Sequence, residues 1–529
     1  MAPFFGTVLF IVPGSLMQFT RTDSLPDKSK RHSSVCYLIN DNWDDFSFKT
    51  SFDAVLYDPE GARHDLGPVR ILKKGLERGR VPLPAQFSEL GDEWCSLGND
   101  RDYYLSLSKL QEPVKRDYLR AIRDCAFDPA IFESFKNEEG MQSSLLRTVT
   151  THDVRVNFPR ILRGDTQLTA YEFIFEFETG SVGTTEKCEF SVEPDSMPPT
   201  NVHVLIGRNG VGKTRLLAGM ADALTENKVK SMGLIGEFQF GDDANEFLNT
   251  IVVSYSAFDR FDPLNIGRRR SKTSIPYFYI GIKKQKEPAE LGDTVADSIV
   301  LKNASDFNYE FRSSLNALAD QASKRSHRYG RWLRALDVLR SDPGLAEFVS
   351  QFFGVHQETN LDTQAEQFAL LSSGHKIVLL TVAKLVENVS DRSLILMDEP
   401  ETHLHPPLLG SFIRAVSDLL TSQNGVAIIA THSPVVLQEV PARCVSVITR
   451  SGHRIRIRRP KTETFAENVG MLTRRVFGLE VTQSGFYRLL KEAAEGRDFG
   501  DVLKEFGDQI GGEGRALARV FTSENDEEE

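Results

Sequence analysis

The sequence predicts an α/β fold, a mixed sheet flanked by helices, with a β-rich region before it and a mainly helical insertion within it. Three short apolar runs support this prediction, because each has the length of a buried strand and ends at polar, charged or glycine residues. The runs cover residues 202–206, 393–397 and 426–430. Helical patterns follow them, and strands that alternate with helices are typical of an α/β sheet.

Length and charge narrow the class of protein. The chain has 529 residues, which suggests about two to four domains. Its formal net charge is −11, so any contact with DNA or RNA needs a local basic surface. No apolar stretch reaches the roughly 20 residues that a membrane span needs. The five cysteines form no CxxC pair, which favours a reducing environment. We therefore expect a cytoplasmic protein with no membrane contact.

Changes of pattern along the chain divide it into five regions. The first is β-rich and then helical. The second and fourth contain the apolar runs, the third is a mainly helical insertion with basic clusters, and the last ends in an acidic tail. The predicted regions are 1–150, 151–261, 262–360, 361–450 and 451–529.

The first region carries local predictions of its own. The apolar run 7–12 is interpreted as a first strand, because it lacks the basic start and the cleavage site of a signal peptide. Residues 54–57 and 103–105 are interpreted as short strands between turn residues. Residues 106–150 have a helical pattern of apolar positions.

A glycine-rich loop follows the first apolar run and matches the pattern G-x-x-x-x-G-K-[ST]. Its glycines allow backbone N–H groups to turn towards phosphates, and the following helix adds its positive end. Lys213 is expected to contact the β- and γ-phosphates, and the Thr214 hydroxyl to bind Mg²⁺. The residues predicted to bind ATP here are Gly207, Arg208, Asn209, Gly210, Val211, Gly212, Lys213, Thr214 and Arg215.

Two carboxylates end the second apolar run. Asp398 is placed to hold Mg²⁺, and Glu399 is placed to orient or deprotonate an attacking water. Taken alone, the same pattern fits a buried strand with an ordinary acidic turn. Its position downstream of a phosphate loop favours the catalytic interpretation.

Two further helix starts complete the set of motifs. His432 follows the third apolar run, where an imidazole can contact the γ-phosphate; a capped turn is the alternative. Ser372, Ser373 and Gly374 precede an apolar helix, and the backbone N–H groups of such a helix start can bind an anion. A plain N-cap is the alternative there.

These four motifs, in this order, resemble those of ABC-type ATPase heads. The segments 398–406 and 430–434 resemble the SMC-like and OLD-like branch, whose members act on nucleic acid or in phage defence. The segments 258–261, 434–441 and 467–470 resemble the PtuA-like ATPases of Septu-type and retron-associated antiphage systems.

The resemblance implies a protein that binds and hydrolyses ATP with Mg²⁺ between two heads. The active unit would be a homodimer or a higher homo-oligomer, with Ser372 of one head contacting the nucleotide on the other. The resemblance also implies a separate partner nuclease of the HNH type. It spans roughly residues 150–260 and 360–450.

The chain departs from the common ABC pattern at three points. Ser373 and His375 stand where many ABC proteins have Gly and Gln. No Q-loop glutamine is evident, so Gln239 and the segment 254–259 are both candidates for the residue that reaches the metal.

Three basic clusters stand out in this acidic chain. Those at 268–286 and 324–334 interleave Arg and Lys with aromatic residues, and they are candidates for DNA or RNA contact. A solvated helix face or a partner interface is the alternative. The cluster at 454–459 alternates like an edge strand, where charge prevents aggregation.

No nuclease motif is recognised in the sequence. Residues 440–529 lack the carboxylate pattern of a TOPRIM domain, and a structural role is favoured for His403 and His405 beside Asp398. If DNA or RNA is cut, a partner would therefore cut it, and the resemblance implies that the ATPase regulates this partner in antiphage defence. Two alternatives stay open. One is a DNA-repair or genome-maintenance ATPase that clamps DNA, although no long heptad repeat is present. The other is an ATP-binding scaffold with negligible turnover.

Overall fold

The computed structural model describes most of the chain in segments. These are 17–25, 32–41, 47–147, 149, 151, 153–164, 168, 170–179, 184–225, 234–241, 247–259, 261, 263, 275–285, 299–318, 327–353, 361–452, 454–477 and 485–527. The predicted strand at 7–12 and the basic residues 268–272 lie outside these segments.

The strands of the described residues form a large sheet in each half of the molecule and several small ones. They are β1 (Gln18–Thr22), β2 (Val35–Asn40), β3 (Phe48–Lys49), β4 (Ser51–Tyr57), β5 (Arg63–Lys73), β6 (Gly79–Arg80), β7 (Gln86–Phe87), β8 (Trp94–Gly98), β9 (Tyr171–Glu178), β10 (Thr185–Val192), β11 (Val202–Ile206), β12 (Gly236–Phe240), β13 (Asn249–Ser254), β14 (Tyr277–Gly281), β15 (Lys283–Gln285), β16 (Ile299–Leu301), β17 (Ser393–Asp398), β18 (Val426–Thr431), β19 (Val445–Ser451) and β20 (Arg454–Arg458).

The helices of the described residues cover both large sheets and continue to the end of the chain. They are α1 (Arg101–Ser108), α2 (Glu112–Ala121), α3 (Pro129–Phe135), α4 (Glu139–Ser143), α5 (Phe158–Leu162), α6 (Lys213–Thr225), α7 (Ala304–Leu318), α8 (His327–Leu339), α9 (Pro343–Ser350), α10 (Leu361–Phe368), α11 (Ser373–Asn388), α12 (Pro406–Ser422), α13 (Pro434–Leu437), α14 (Val469–Phe477), α15 (Gly485–Ala494), α16 (Phe499–Glu505) and α17 (Gly512–Glu527).

The N-terminal part has a six-stranded sheet in the order β7–β1–β2–β4–β5–β8, and its helices pack with the sheet in a core of their own. The strand predicted at 54–57 is confirmed within β4. The strand predicted at 103–105 is wrong, because these residues lie in α1. Asp100 caps that helix by accepting the N–H of Tyr103 at 3.1 Å, and Tyr103 and Tyr104 are fully buried. A local cap and tertiary packing thus outweigh the strand preference of tyrosine.

A seven-stranded sheet forms the centre of the molecule, in the order β14–β13–β17–β18–β11–β19–β20. Neighbouring strands are parallel except for the last pair, β19 and β20. The three predicted apolar runs are β11, β17 and β18, and they are adjacent in this sheet. The predicted mixed α/β fold is therefore confirmed.

Both faces of the central sheet are buried. Side chains of successive residues point to opposite faces, so Val204 and Ile206 lie in one core and Leu205 in another. Helices α7 to α13 contribute to the first core, and α6 packs in the second together with the antiparallel sheet β10–β9–β12. A sheet covered on both faces explains why its strands are continuously apolar.

The predicted insertion at 262–360 is part of this body. Its first described strand, β14, pairs in parallel with β13 at one edge of the sheet. Its helices α7 and α8 pack against α11 and α12, and Trp332 of α8 is fully buried against Phe311 of α7 and Phe352. The predicted helical character after residue 307 is confirmed.

The other edge of the central sheet has exposed side chains, and the C-terminal helices form a separate core. Strand β20 is the edge strand that the alternating arginines predict, with Arg454, Arg456 and Arg458 exposed. Helices α15 to α17 form a small separate core around Leu490 and Val502. Within the segments that the structure describes, no helix has the length and apolar character to span a membrane.

The buried indole of Trp332 provides a test of this packing. Trp332→Ala should lower the free energy of unfolding by about 3–5 kcal/mol, because it leaves a large cavity among α7, α8 and α9. Tyr309→Ala on α7 is the matched control, since that side chain is 75% exposed, and it should change the value by less than about 0.5 kcal/mol. Urea unfolding followed by circular dichroism measures both. Equal effects of the two variants would contradict the packing described here.

Candidate nucleotide site

The phosphate loop joins β11 to α6 at the carboxyl edge of the central sheet. Gly210 and Gly212 have φ values of +80° and +107°, which an L-residue with a side chain rarely adopts. The Nζ of Lys213 donates to the carbonyl oxygens of Gly207 at 3.0 Å and Arg208 at 3.2 Å. Burial lowers the pKa of Lys213, and the nearby carboxylates oppose that shift. The loop thus already has the curled conformation that encloses a phosphate.

The predicted metal ligands are in direct contact. The Thr214 hydroxyl donates to the carboxylate of Asp398. Its oxygen lies 3.0 Å from Oδ1 and 2.9 Å from Oδ2. Burial raises the pKa of Asp398 to about 7, and the Thr214 hydrogen bond opposes this rise. A hydroxyl beside a buried carboxylate is a set of hard oxygen ligands, which fits Mg²⁺. The cation would also stabilise the charge of Asp398, which burial disfavours.

Glu399 leaves the strand in a conformation that few non-glycine residues adopt. Its φ is 45° and its ψ is 58°, in the left-handed region, and its N–H donates to the carbonyl of Ala430 on β18 at 2.8 Å. Its Oε1 lies 4.0 Å from the Nζ of Lys213 and 3.6 Å from the Nδ1 of His432. The structure therefore brings together three catalytic residues predicted from separate motifs.

A fourth residue, Glu401, belongs to this site and was missed in the sequence. Its Oε1 accepts the Thr431 hydroxyl at 2.6 Å and the backbone N–H of His432 at 2.8 Å, and it lies 3.1 Å from His432 Nδ1. A carboxylate at Nδ1 fixes the imidazole so that Nε2 points away from it. The signal was present as the third acidic residue in Asp398-Glu399-Pro400-Glu401, but its contact partners lie at the end of another strand.

The segment 372–374, which corresponds to the signature motif of ABC-type heads and is called the signature segment below, begins helix α11 as predicted. Ser372 is its N-cap and accepts the N–H of His375 at 3.3 Å. Ser372 and Ser373 are exposed, whereas Gly374 is buried. A Cβ on Gly374 would lie 2.6 Å from the carbonyl oxygen of His403, so the helix start touches the loop after Glu399. The N-cap is thus real, and the two serines remain accessible to a ligand or to another chain.

The two Q-loop candidates are in different places. Gln239 lies on β12 of the small antiparallel sheet and donates to Glu176 at 2.8 Å. The segment 254–259 instead follows β13, the neighbour of β17, and Ser254 is the register partner of Asp398. The negative charge of Asp259 adds to the forces that raise the pKa of Asp398. The segment 254–259, and not Gln239, therefore lies beside Asp398, the predicted metal ligand.

Three residues of the basic clusters form ion pairs within the chain, and two of them are buried. Lys283 is buried, and its Nζ lies 2.6 Å from Asp259 Oδ1. Arg331 is 3% exposed and lies 3.5 Å from Asp102 of α1. Lys284 pairs with Asp306 at 2.6 Å. These ion pairs hold parts of the molecule together. Contact of the clusters at 268–286 and 324–334 with DNA or RNA stays a prediction.

Comparison with known proteins places these motifs in a family. A family model described as "AAA domain, putative AbiEii toxin, Type IV TA system" matches residues 202–438. Protein ea59 of Escherichia phage lambda is 37% identical over 522 residues, which cover 93% of this chain and 95% of that protein. The chain belongs to the family of Protein ea59. The region 202–438, which matches the AAA domain model, contains the phosphate loop and the carboxylate pair.

Solved structures give weaker matches. An inward-facing putative metal-chelate type ABC transporter is 16% identical with a TM-score of 0.28, over 58% of this chain and 89% of that one. The SMC head domain from Thermotoga maritima is 13% identical with a TM-score of 0.27, over 55% of this chain and 99% of that one. At such scores these structures carry no weight for the family assignment, which rests on Protein ea59 of phage lambda.

The contact between Glu401 and His432 gives a prediction about turnover. Glu401→Gln should lower kcat for ATP hydrolysis by about tenfold to a hundredfold, because the imidazole loses the carboxylate that orients it. The affinity for ATP should change by less than about twofold, since the phosphate loop is untouched. Glu439→Gln, a glutamate beside Gly410 of α12, is the control. Phosphate release and fluorescent nucleotide binding measure the two quantities, and an unchanged kcat would exclude this role for Glu401.

Proposed function

We propose that the chain hydrolyses ATP to ADP and phosphate. The observation that carries this proposal is the convergence of Lys213, Asp398, Glu399 and His432 at the carboxyl ends of three adjacent parallel strands. A scaffold that only binds ATP has no need of a carboxylate held in a strained conformation beside the lysine. ATP with Mg²⁺ is the proposed ligand.

The residues have distinct roles in this proposal. Lys213 and the loop N–H groups hold the β- and γ-phosphates, and Glu399 orients the attacking water and accepts its proton. His432 contacts the γ-phosphate through Nε2. Mg²⁺ at Thr214 and Asp398 would supply charge neutralisation between the phosphates.

Two variants separate binding from hydrolysis. Lys213→Ala should weaken ATP binding by at least about tenfold, because a charge-assisted contact to the phosphates is lost. Glu399→Gln should keep ATP binding and lower kcat by about a hundredfold or more. Normal turnover in Glu399→Gln would remove Glu399 as the residue that activates water. If the wild-type chain binds ATP without turnover, the scaffold alternative is correct.

We further propose that two copies of the chain enclose the nucleotide. The exposed Ser372 and Ser373, at the N-terminus of the sixteen-residue helix α11, would contact the γ-phosphate bound to the other copy. This arrangement is supported by the resemblance to ABC-type heads and by the exposure of the two serines. It makes each site depend on both chains.

Mixed variants test this dependence. Ser372→Arg and Lys213→Ala chains should each be nearly inactive alone. Mixing them should restore turnover, because the Ser372→Arg chain can bind ATP and the Lys213→Ala chain supplies an intact Ser372. About half of all dimers would then be mixed, and each mixed dimer would hold one complete site. No recovery on mixing, with both variants folded and dimeric, would place Ser372 in the site of its own chain.

We propose that the ATPase regulates a separate effector in antiphage defence, and that the effector is an HNH nuclease. The resemblance to PtuA-like ATPases supports this role, as does the toxin–antitoxin description of the matching family model. Among the described residues, one group of three His and carboxylate side chains is close enough to share a metal ion, namely Asp342, His375 and His405. That group lacks the pattern of an HNH or TOPRIM centre, which favours a nuclease on another chain.

Co-expression tests the effector. An HNH protein encoded beside this chain should co-purify with it, and the complex should cut DNA in a way that changes in Glu399→Gln. If the purified chain clamps DNA in an ATP-dependent manner without such a partner, the genome-maintenance alternative is favoured.

A further inference from the structure

Asp342 lies where three segments of the ATPase body meet. It follows α8 and caps α9, where its Oδ1 accepts the N–H of Gly344 at 2.9 Å. The same Oδ1 lies 3.3 Å from Nε2 of His375, in the first turn of α11. Its Oδ2 lies 3.3 Å from Nε2 of His405, which caps α12. One carboxylate therefore contacts the insertion, the signature helix α11 and helix α12. Helix α12 follows the loop 399–405, which is called the catalytic loop below.

The side chain of Asp342 is buried among closely packed neighbours. The carboxylate is 3% exposed. A Cβ on Gly344 would lie 2.5 Å from the His375 ring, so the glycine makes room for that imidazole. Together with the contact of Gly374 on the His403 carbonyl, these features tie the start of α11 to the loop between Glu399 and His405. The three contacts come from different parts of the sequence.

A metal ion is the obvious alternative for one Asp and two His side chains. The hydrogen bond of His405 argues against it. Its Nδ1 accepts the N–H of Leu408 at 3.1 Å, so Nδ1 carries no proton and the neutral ring carries its proton on Nε2. Nε2 lies 3.3 Å from Oδ2 of Asp342, and a protonated Nε2 has no lone pair left for a metal. Binding a metal there would move the proton to Nδ1 and break the cap of α12.

We propose that Asp342 is a positioning residue that holds the signature start and the catalytic loop as one unit. This inference rests on the proposed function, in which Ser372 acts on one nucleotide and Glu399 on another. Asp342 joins the two segments, and it sits on the insertion. A movement of the insertion at the corner between α8 and α9 would therefore shift both the signature start and the catalytic loop.

The matched variant is Asp342→Asn. Asparagine keeps the size and one acceptor oxygen for Gly344, but it places an NH₂ donor against the Nε2–H of His405. We expect kcat for ATP hydrolysis to fall about tenfold to a hundredfold while the affinity for ATP changes less than about twofold. Asp337→Asn on α8, which replaces an exposed partner of Arg340, is the control and should behave as the wild type.

A double-mutant cycle tests the link itself. His405→Asn keeps a side chain that can cap α12 and removes Nε2, so it breaks the same contact from the other side. The double variant Asp342→Asn with His405→Asn should be no slower than the slower single variant, because both changes remove one interaction. Strictly additive losses, or a wild-type kcat in Asp342→Asn, would overturn the proposal.

Hydrogen exchange gives a readout that does not depend on turnover. In Asp342→Asn the amides of 372–376 and 399–408 should exchange faster together, with no change in β11. This result would support the link even if the wild-type chain proved unable to hydrolyse ATP. Unchanged exchange in both segments would overturn it. So would a stoichiometric metal ion in the wild-type chain that is lost in Asp342→Asn, because it would assign the three side chains to a metal site.

Discussion

The parallel pairing of β11, β17 and β18 is the constraint on which the rest of the site depends. Ile206 pairs with Thr431, and Asp398 pairs with Ala430, so the three strands end at the same level. Each strand is followed by residues that carry chemistry, and parallel strands necessarily present those residues at one edge. A slip of one residue between β17 and β18 would turn Asp398 to the other face of the sheet.

The parts of this site that could be predicted from the sequence are those with local causes. A glycine-rich turn between a strand and a helix, a carboxylate pair after a strand and a capped helix start each depend on a few consecutive residues. The same reasoning predicted the edge strand β20 from its alternating arginines. In each case the chemistry of neighbouring residues decides the local structure, with little contribution from distant contacts.

The parts that could not be predicted depend on contacts between distant segments. The arginine spacing of α8 suggests a solvated face, but Arg331 is buried against Asp102, more than two hundred residues earlier. In the sequence, Glu401 has the pattern of an ordinary turn residue. In the structure, the end of β18 places Thr431 and His432 beside it. Periodicity describes one element at a time, so it does not show which side of an element another domain will cover.

The backbone conformation of Glu399 affects which substitutions at this position would stabilise members of the family. A non-glycine residue in the left-handed region is disfavoured by about 1–2 kcal/mol, and glycine or asparagine would relieve that strain. Substitution by glycine or asparagine would therefore make the protein more stable while it removes the carboxylate proposed to activate water. A glutamate retained here in a relative would be a sign of selection for turnover, since selection for stability alone favours its loss.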